Sequence, residues 1–231
     1  MSSPVSVHVW SDIACPWCFV GKRRFERAVA DFEGEVVVEY HSFELAPDTP
    51  VDFEGDEVEF LAGHKGMPVE QVRQMLDQMT GLAAAEGLAF DFGSVRHTKT
   101  LLAHQALHHA KEQGKQLDLV ERLFSAYFEQ GRHVGRAEEL AALAAEVGID
   151  PVDLLEALAD GRHSPAVEAD IAAARQLGIR GVPFYVIDDR YGISGAQSPD
   201  VFRSALERAV EDRAAAGGQP EQPESPVAGA R

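Results

Sequence analysis

Residues 9–25 read VWSDIACPWCFVGKRRF and contain both cysteines of the 231-residue chain, Cys15 and Cys18. Upstream, VSVHVW (5–10) alternates apolar and polar side chains, the period-two pattern of a strand. From Pro16 the spacing becomes that of a helix running to about Asp31, with Phe19, Phe25, Ala28, Val29 and Phe32 near one face. Pro16 suits a first helical turn, where its missing N–H would have no partner anyway. EVVVEYHSFEL (35–45) is β-branched and aromatic and reads as a second strand. The opening segment is β-α-β, and a parallel pair joined by a helix is expected. The cysteines then fall where the first strand hands over to the helix.

Between Asp48 and about Gly178 the patterning is almost entirely helical. Helices are expected over 68–87, 97–114, 118–131, 136–148, 150–161 and 164–178, each ending at a glycine. Ser164 and Pro165 read as the N-cap and first position of the last of these. Strand signals return in VPFYVID (182–188) and YGISGA (191–196), with Asp189-Arg190 as the turn of a hairpin. A final helix, 198–215, precedes GGQPEQPESPVAGAR, whose Pro, Gly and Glu content is too polar to pack. The order is therefore βαβ, a helical block, then αββα. Without the block this is a mixed four-stranded sheet with helices.

Acidic residues outnumber basic ones 38 to 21, for a net charge of −17. Such a surface repels phosphate backbones and anionic lipid, so neither nucleic acid nor membrane is expected as a partner. No window approaches the ~20 consecutive apolar residues of a membrane-spanning helix. MSSPVSVHVWSD lacks a basic segment followed by a long apolar run, and a cytoplasmic location is expected. In that reducing compartment, paired cysteines point to metal or catalysis before a structural bridge.

A zinc site needs four ligands, so His104 and His108, with His109 adjacent, would have to complete the cysteine pair. HHAKEQG reads as the hydrated end of a helix, however, and no metal is expected there. A bridge across two residues would constrain little of the unfolded chain. Redox exchange fits better: a cysteine at a helix N-terminus meets unpaired N–H groups and a dipole that favour a thiolate. Cys18, one turn on, lies within reach of a mixed disulfide at Cys15. RGVPFYVID (180–188) is the second landmark, since a proline there belongs at a strand's first residue or in a tight turn. Gly181 is expected to admit a close approach by other atoms.

Cys-Pro-Trp-Cys at 15–18 and Gly-Val-Pro-Phe at 181–184, separated by a long helical block, resemble the DsbA family of thioredoxin-fold oxidoreductases. FELAPDTP (43–50), LFSAYFEQGRHV (123–134) and SGAQSPDVF (194–202) sharpen the likeness to its FrnE-like branch, related to 2-hydroxychromene-2-carboxylate isomerase. The resemblance implies an α/β, thioredoxin-like fold with an inserted all-helical domain. Residues 1–48 and 179–213 would form the thioredoxin-like domain, 49–178 the helical insertion and 214–231 a disordered tail. It further implies Cys15 as attacking thiol, Cys18 as resolving thiol, and Pro183 as a cis-proline facing them. Val182 would offer its backbone to an extended substrate, and Pro16 and Trp17 would tune the thiolate and touch substrate. An Asn-Thr pair that often opens the helix near residue 97 in this branch is His97-Thr98 here.

The implied activity is thiol-disulfide exchange on protein or small-molecule disulfides, with no bound cofactor, glutathione as a co-substrate, and an unidentified recycling reductant or oxidant. Monomer and homodimer both stay open. The related isomerases typically carry serine in place of the first cysteine, whereas both thiols are present here. A glutathione-dependent isomerase or polyketide tailoring enzyme is the first alternative. Chaperone-like binding in a groove lined by Trp10, Trp17, Phe19 and Phe184 is the second.

Overall fold

The computed structural model describes residues 3–217. β1 (Val5–Ser11) and β2 (Val36–Ser42) run parallel, in register from Val5 beside Val36 to Ser11 beside Ser42. α1 (Pro16–Ala30) makes the crossover. β3 (Phe184–Ile187) lies antiparallel to β1, and β4 (Tyr191–Ser194) antiparallel to β3. The strand order β2-β1-β3-β4 is the mixed four-stranded sheet expected. Between β2 and β3 come α2 (Glu57–Lys65), α3 (Val69–Ala85), α4 (Leu101–Glu112), α5 (Gln116–Gln130), α6 (Ala137–Glu146), α7 (Pro151–Ala159) and α8 (Ser164–Gln176). α9 (Pro199–Gly217) follows β4.

The alternation of β1 sets the two faces of the sheet. Val5, Val7 and Val9 enter one core with Phe25 of α1, Tyr185 of β3 and Phe202 of α9. Trp10 points the other way and packs with Ala174 of α8 and Ile179 just beyond it. Phe19 joins the sheet to the helical block: it is fully buried and stacks on Phe124 of α5, centroids 5.0 Å apart. Burying such a side chain is worth roughly 1.5–3 kcal/mol, and truncating it would open a cavity where α1 meets α5.

Local details depart from the sequence-based expectations for identifiable reasons. α2 was not anticipated, although Asp56 and Glu59 form a reciprocal capping box at its start. α4 begins at Leu101 rather than His97, and His163, not Ser164, caps α8. The hairpin turns on Asp188 and Asp189, both at positive φ, with Arg190 N–H returning to Ile187 O at 3.1 Å. Arg213 of α9 ion-pairs with Asp188 and holds that turn. His108 and His109 are buried, not hydrated. Residues 214–217 belong to α9, and the remainder of the expected tail, 218–231, lies outside the described residues. No helix among the described residues is long and apolar enough to cross a membrane.

Candidate active site

Cys15 is the N-cap of α1, with Pro16 at its first position. Its N–H donates to Asp12 O at 3.1 Å and its carbonyl accepts from Cys18 N–H at 3.0 Å. Both thiols are free and buried, Cys15 4% and Cys18 2% exposed. Cys15 Sγ donates to the carbonyl oxygen of Val182 at 3.6 Å. The Val182–Pro183 peptide is cis. Pro183 is buried against α1, where Gly21 admits it: a Cβ on Gly21 would stand 3.0 Å from Pro183 Cγ and 2.8 Å from the Tyr185 hydroxyl. No atom of the chain lies within 4 Å of a Cβ built on Gly181, which lines the cavity beside Val182.

Asp12 fixes the junction from beneath. Its carboxylate accepts from Ala14 N–H at 3.3 Å and from Leu45 N–H at 2.8 Å, tying the start of α1 to the segment after β2. His104 of α4 brings Nε2 to 3.4 Å from the same carboxylate. Burial alone would raise the Asp12 pKa, but His104 and the hydrogen bonds from Leu45 and Thr100 outweigh it and hold the carboxyl below its usual value. Cys18 shows the opposite outcome. Burial, reinforced by the neighbouring Cys15, pushes its thiol well above the ordinary value, with Ser11 and Asp12 offsetting only part.

Cys15 opens onto a cavity of about 390 Å³ whose lining includes Pro16, Trp17 and Val182. Trp17 is 42% exposed and forms part of its rim. Of the four residues expected to touch substrate, Pro183 is therefore the one that does not line the space. The far wall is apolar, with Phe60, Leu76, Met79 and Phe92. Polar residues that sequence reasoning did not assign to the site are set among these, including His64, Lys65, Gln78 and a facing pair, Glu57 and His97. His97 Nδ1 meets Glu57 Oε2 at 3.0 Å, and its ring stacks on Phe60. Its Nε2 is buried without a hydrogen-bond partner. The capping box of α2 was the available signal, since that helix carries Glu57. Of the aromatics expected to line a binding groove, Trp17 borders the cavity and two are buried away from it. Trp10 and Phe19 are core residues, and the indole N–H of Trp10 is satisfied by Asp170 O at 3.1 Å. His104 and His108 do not approach the cysteines as ligands; they serve Asp12 and Asp170.

The family model of the DSBA-like thioredoxin domain matches residues 6–207. The chain belongs to this family. Among solved structures, SCO1869 from Streptomyces coelicolor, described as a probable DsbA oxidoreductase, is 40% identical with a TM-score of 0.86. That match covers 94% of this chain and 93% of that one. A 2-hydroxychromene-2-carboxylate isomerase superposes with a TM-score of 0.70 at 16% identity, over 91% of this chain and 98% of the other. The cytosolic disulfide reductase DsbM from Pseudomonas aeruginosa, solved with GSH, gives 0.65 at 20% identity, over 89% and 99%. These last two likenesses establish the shared thioredoxin fold. The chain shares the DSBA-like domain and the fold of SCO1869, and it carries two free cysteines three positions apart.

Proposed function

We propose that this protein is a thiol-disulfide oxidoreductase in which Cys15 attacks and Cys18 resolves. The observation that carries the reading is the position of Cys15: it caps α1, borders the cavity and touches Val182, while Cys18 lies behind it. In the reductive direction the Cys15 thiolate attacks one sulfur of a substrate disulfide. A mixed disulfide forms, and the other sulfur leaves as a thiolate that takes up a proton. Cys18, once deprotonated, attacks Cys15 Sγ, closes the Cys15–Cys18 disulfide and releases the second substrate thiolate. The substrate gains two electrons and the dithiol loses two; the reverse sequence oxidises a dithiol substrate.

Ionising Cys15 removes the donor that now occupies the Val182 carbonyl, so that oxygen becomes free to accept an N–H from an extended substrate. Protein and small-molecule disulfides are both within the reading, and Pro16, Trp17 and Val182 would contact either. Glutathione is a fitting co-substrate: two molecules returning the disulfide to the dithiol would become one glutathione disulfide. A cytosolic working place agrees with this and with the description of the DsbM neighbour. The apolar cavity with its Glu57–His97 pair favours one second reading, a glutathione-dependent isomerase acting on an aromatic substrate.

Trapping separates the two. With Cys18→Ala, a mixed disulfide at Cys15 should accumulate in cells and vanish in the Cys15→Ser background. Absence of any covalent adduct, together with glutathione-dependent isomerisation of an aromatic substrate by the wild-type protein, would overturn the first reading in favour of the second.

A further inference from the structure

On the sheet, away from the dithiol, three metal-ligating side chains converge. The parallel register sets His8 beside Glu39 and Trp10 beside His41, so His8, Glu39 and His41 come from adjacent positions of β1 and β2. His8 Nδ1 and His41 Nε2 stand 2.9 Å apart, and Glu39 Oε1 is 3.5 Å from His41 Nε2. One donor atom from each residue can be chosen so that all three lie within 4.8 Å of one another. All three residues are half-buried, which leaves the cluster open to solvent.

What sets this cluster apart is the support behind the His41 imidazole. Asp170 of α8 meets His41 Nδ1 at 2.7 Å, and Asp189 in the β3–β4 turn lies 3.6 Å from His8 Nε2. Asp170 is itself held in place, accepting from Ser42 N–H at 2.8 Å and lying 2.9 Å from His108 Nε2. A carboxylate that accepts the N–H on one side of an imidazole leaves the lone pair on the other side free and fixes where it points. Asp170 does this for His41, whose Nε2 is left facing His8 Nδ1 at 2.9 Å. Two facing lone pairs repel unless a proton or a cation lies between them. Trp10 stacks on His41 at 4.5 Å and holds the ring in place.

We propose that His8, Glu39 and His41 form a binding site for a divalent transition-metal ion of the zinc class, with Asp170 orienting His41. Two imidazoles and one carboxylate are a donor set for Zn²⁺ that leaves a coordination position for water or an incoming ligand. Metal–donor bonds of 2.0–2.1 Å in a tetrahedron place donors roughly 3.3 Å apart, and the observed 2.9 and 3.5 Å bracket that spacing. Without the ion, a proton on His8 Nδ1 fills the gap. Binding requires only that it move to Nε2, on the side of the Asp189 carboxylate 3.6 Å away. The ion would clip β1 to β2 and, through Asp170, draw in α8. One group opposes it: the ammonium of Lys111 in α4 ion-pairs with Glu39.

The test uses the full chain carrying Cys15→Ser and Cys18→Ser, since free thiols themselves bind zinc. Metal-free protein is titrated with Zn²⁺ against a chromophoric chelator and, separately, with Co²⁺ followed by its visible spectrum. One ion per chain is expected, with cobalt bands of a nitrogen–oxygen site and no thiolate charge transfer. His8→Gln or His41→Gln should weaken binding by at least about tenfold. Lys111→Met should tighten it, because a competing positive charge is gone. Circular dichroism checks that each variant is folded, and Glu39→Gln, a single change at a solvent-facing side chain, provides a further weakened variant if His41→Gln is not folded. The proposal fails if no ion binds at micromolar free zinc, or if binding survives His8→Gln and Glu39→Gln unchanged.

Discussion

The thiol of Cys15 donates to the carbonyl oxygen of Val182 across 3.6 Å, joining residues 167 positions apart in the chain. Cys18 makes no such contact with the Val182 loop. Cys15 borders the cavity at the mouth of α1, whereas Cys18 is one turn inside, and burial there keeps its thiol protonated at neutral pH.

Alkylation should report this asymmetry directly. At pH 7.5 a small reagent such as iodoacetamide can enter the cavity and reach Cys15 Sγ, while Cys18 is protonated and has no path. Mass spectrometry of the reduced protein is expected to find a single label, on Cys15, with Cys18 slower by at least about tenfold. Equal labelling of the two positions would contradict the arrangement.

The raised Cys18 pKa also sets an alkaline limit on the reduced protein. In the unfolded chain the thiol titrates near its ordinary value of about 8.5, whereas in the folded chain it stays protonated to higher pH. The stability this group contributes is therefore complete below about pH 8.5 and declines as pH rises toward the folded value. Buried Tyr40, Tyr127 and Tyr185 have raised values too, and their contribution declines only from about pH 10 upward. Urea unfolding of reduced wild type should weaken between about pH 8.5 and 9.5. Cys18→Ala should remove that early decline and leave the later one.

Asp12 behaves with the opposite sign. Its folded pKa lies below the unfolded value of about 3.9, so its contribution is complete at neutral pH and is lost as pH falls through the folded value. Glu44, raised mainly by burial, works against it in the same acid range, which makes a variant comparison necessary. Asp12→Ala strands His104 and the Leu45 N–H in the interior and should cost about 3–5 kcal/mol at pH 7. The gap between wild type and variant should narrow as pH drops from about 5 to 2. A gap that stays constant over that range would show that Asp12 acts through shape alone.

Sequence patterning carried the sheet because its signals are local. Val5, Val7 and Val9 alternate within one strand, and Pro16 and Pro183 each mark the start of an element. The site's second half depends on pairings that no local pattern contains. Glu57 and His97 are 40 positions apart and meet only because α2 and the segment before α4 share a cavity wall. His8 and His41 become neighbours only once β1 and β2 adopt one particular register. His108 and His109 read as a hydrated helix end because a sequence does not display what packs over it. In the folded chain Asp170 of α8 and Asp153 of α7 come to meet them.

Gly21 gives a last expectation, in which two opposing effects can be weighed. It lies inside α1, where alanine would improve helix formation by about 1 kcal/mol. Against this, a Cβ would meet the Tyr185 hydroxyl at 2.8 Å, Pro183 Cγ at 3.0 Å and the Ala196 side chain at 3.3 Å. Tyr185 and Pro183 are buried and cannot retreat into solvent, and forcing an extra methyl into such a wall costs about 1–3 kcal/mol. Crowding should win, so Gly21→Ala is expected to lower stability by about 1 kcal/mol and lower the urea midpoint at unchanged slope. Gly81 in α3 is the control, because a Cβ there meets nothing within 4 Å. Gly81→Ala should raise stability by up to about 1 kcal/mol. If the two alanines shift the midpoint in the same direction, helix preference decides both positions and the wall against α1 does not constrain residue 21.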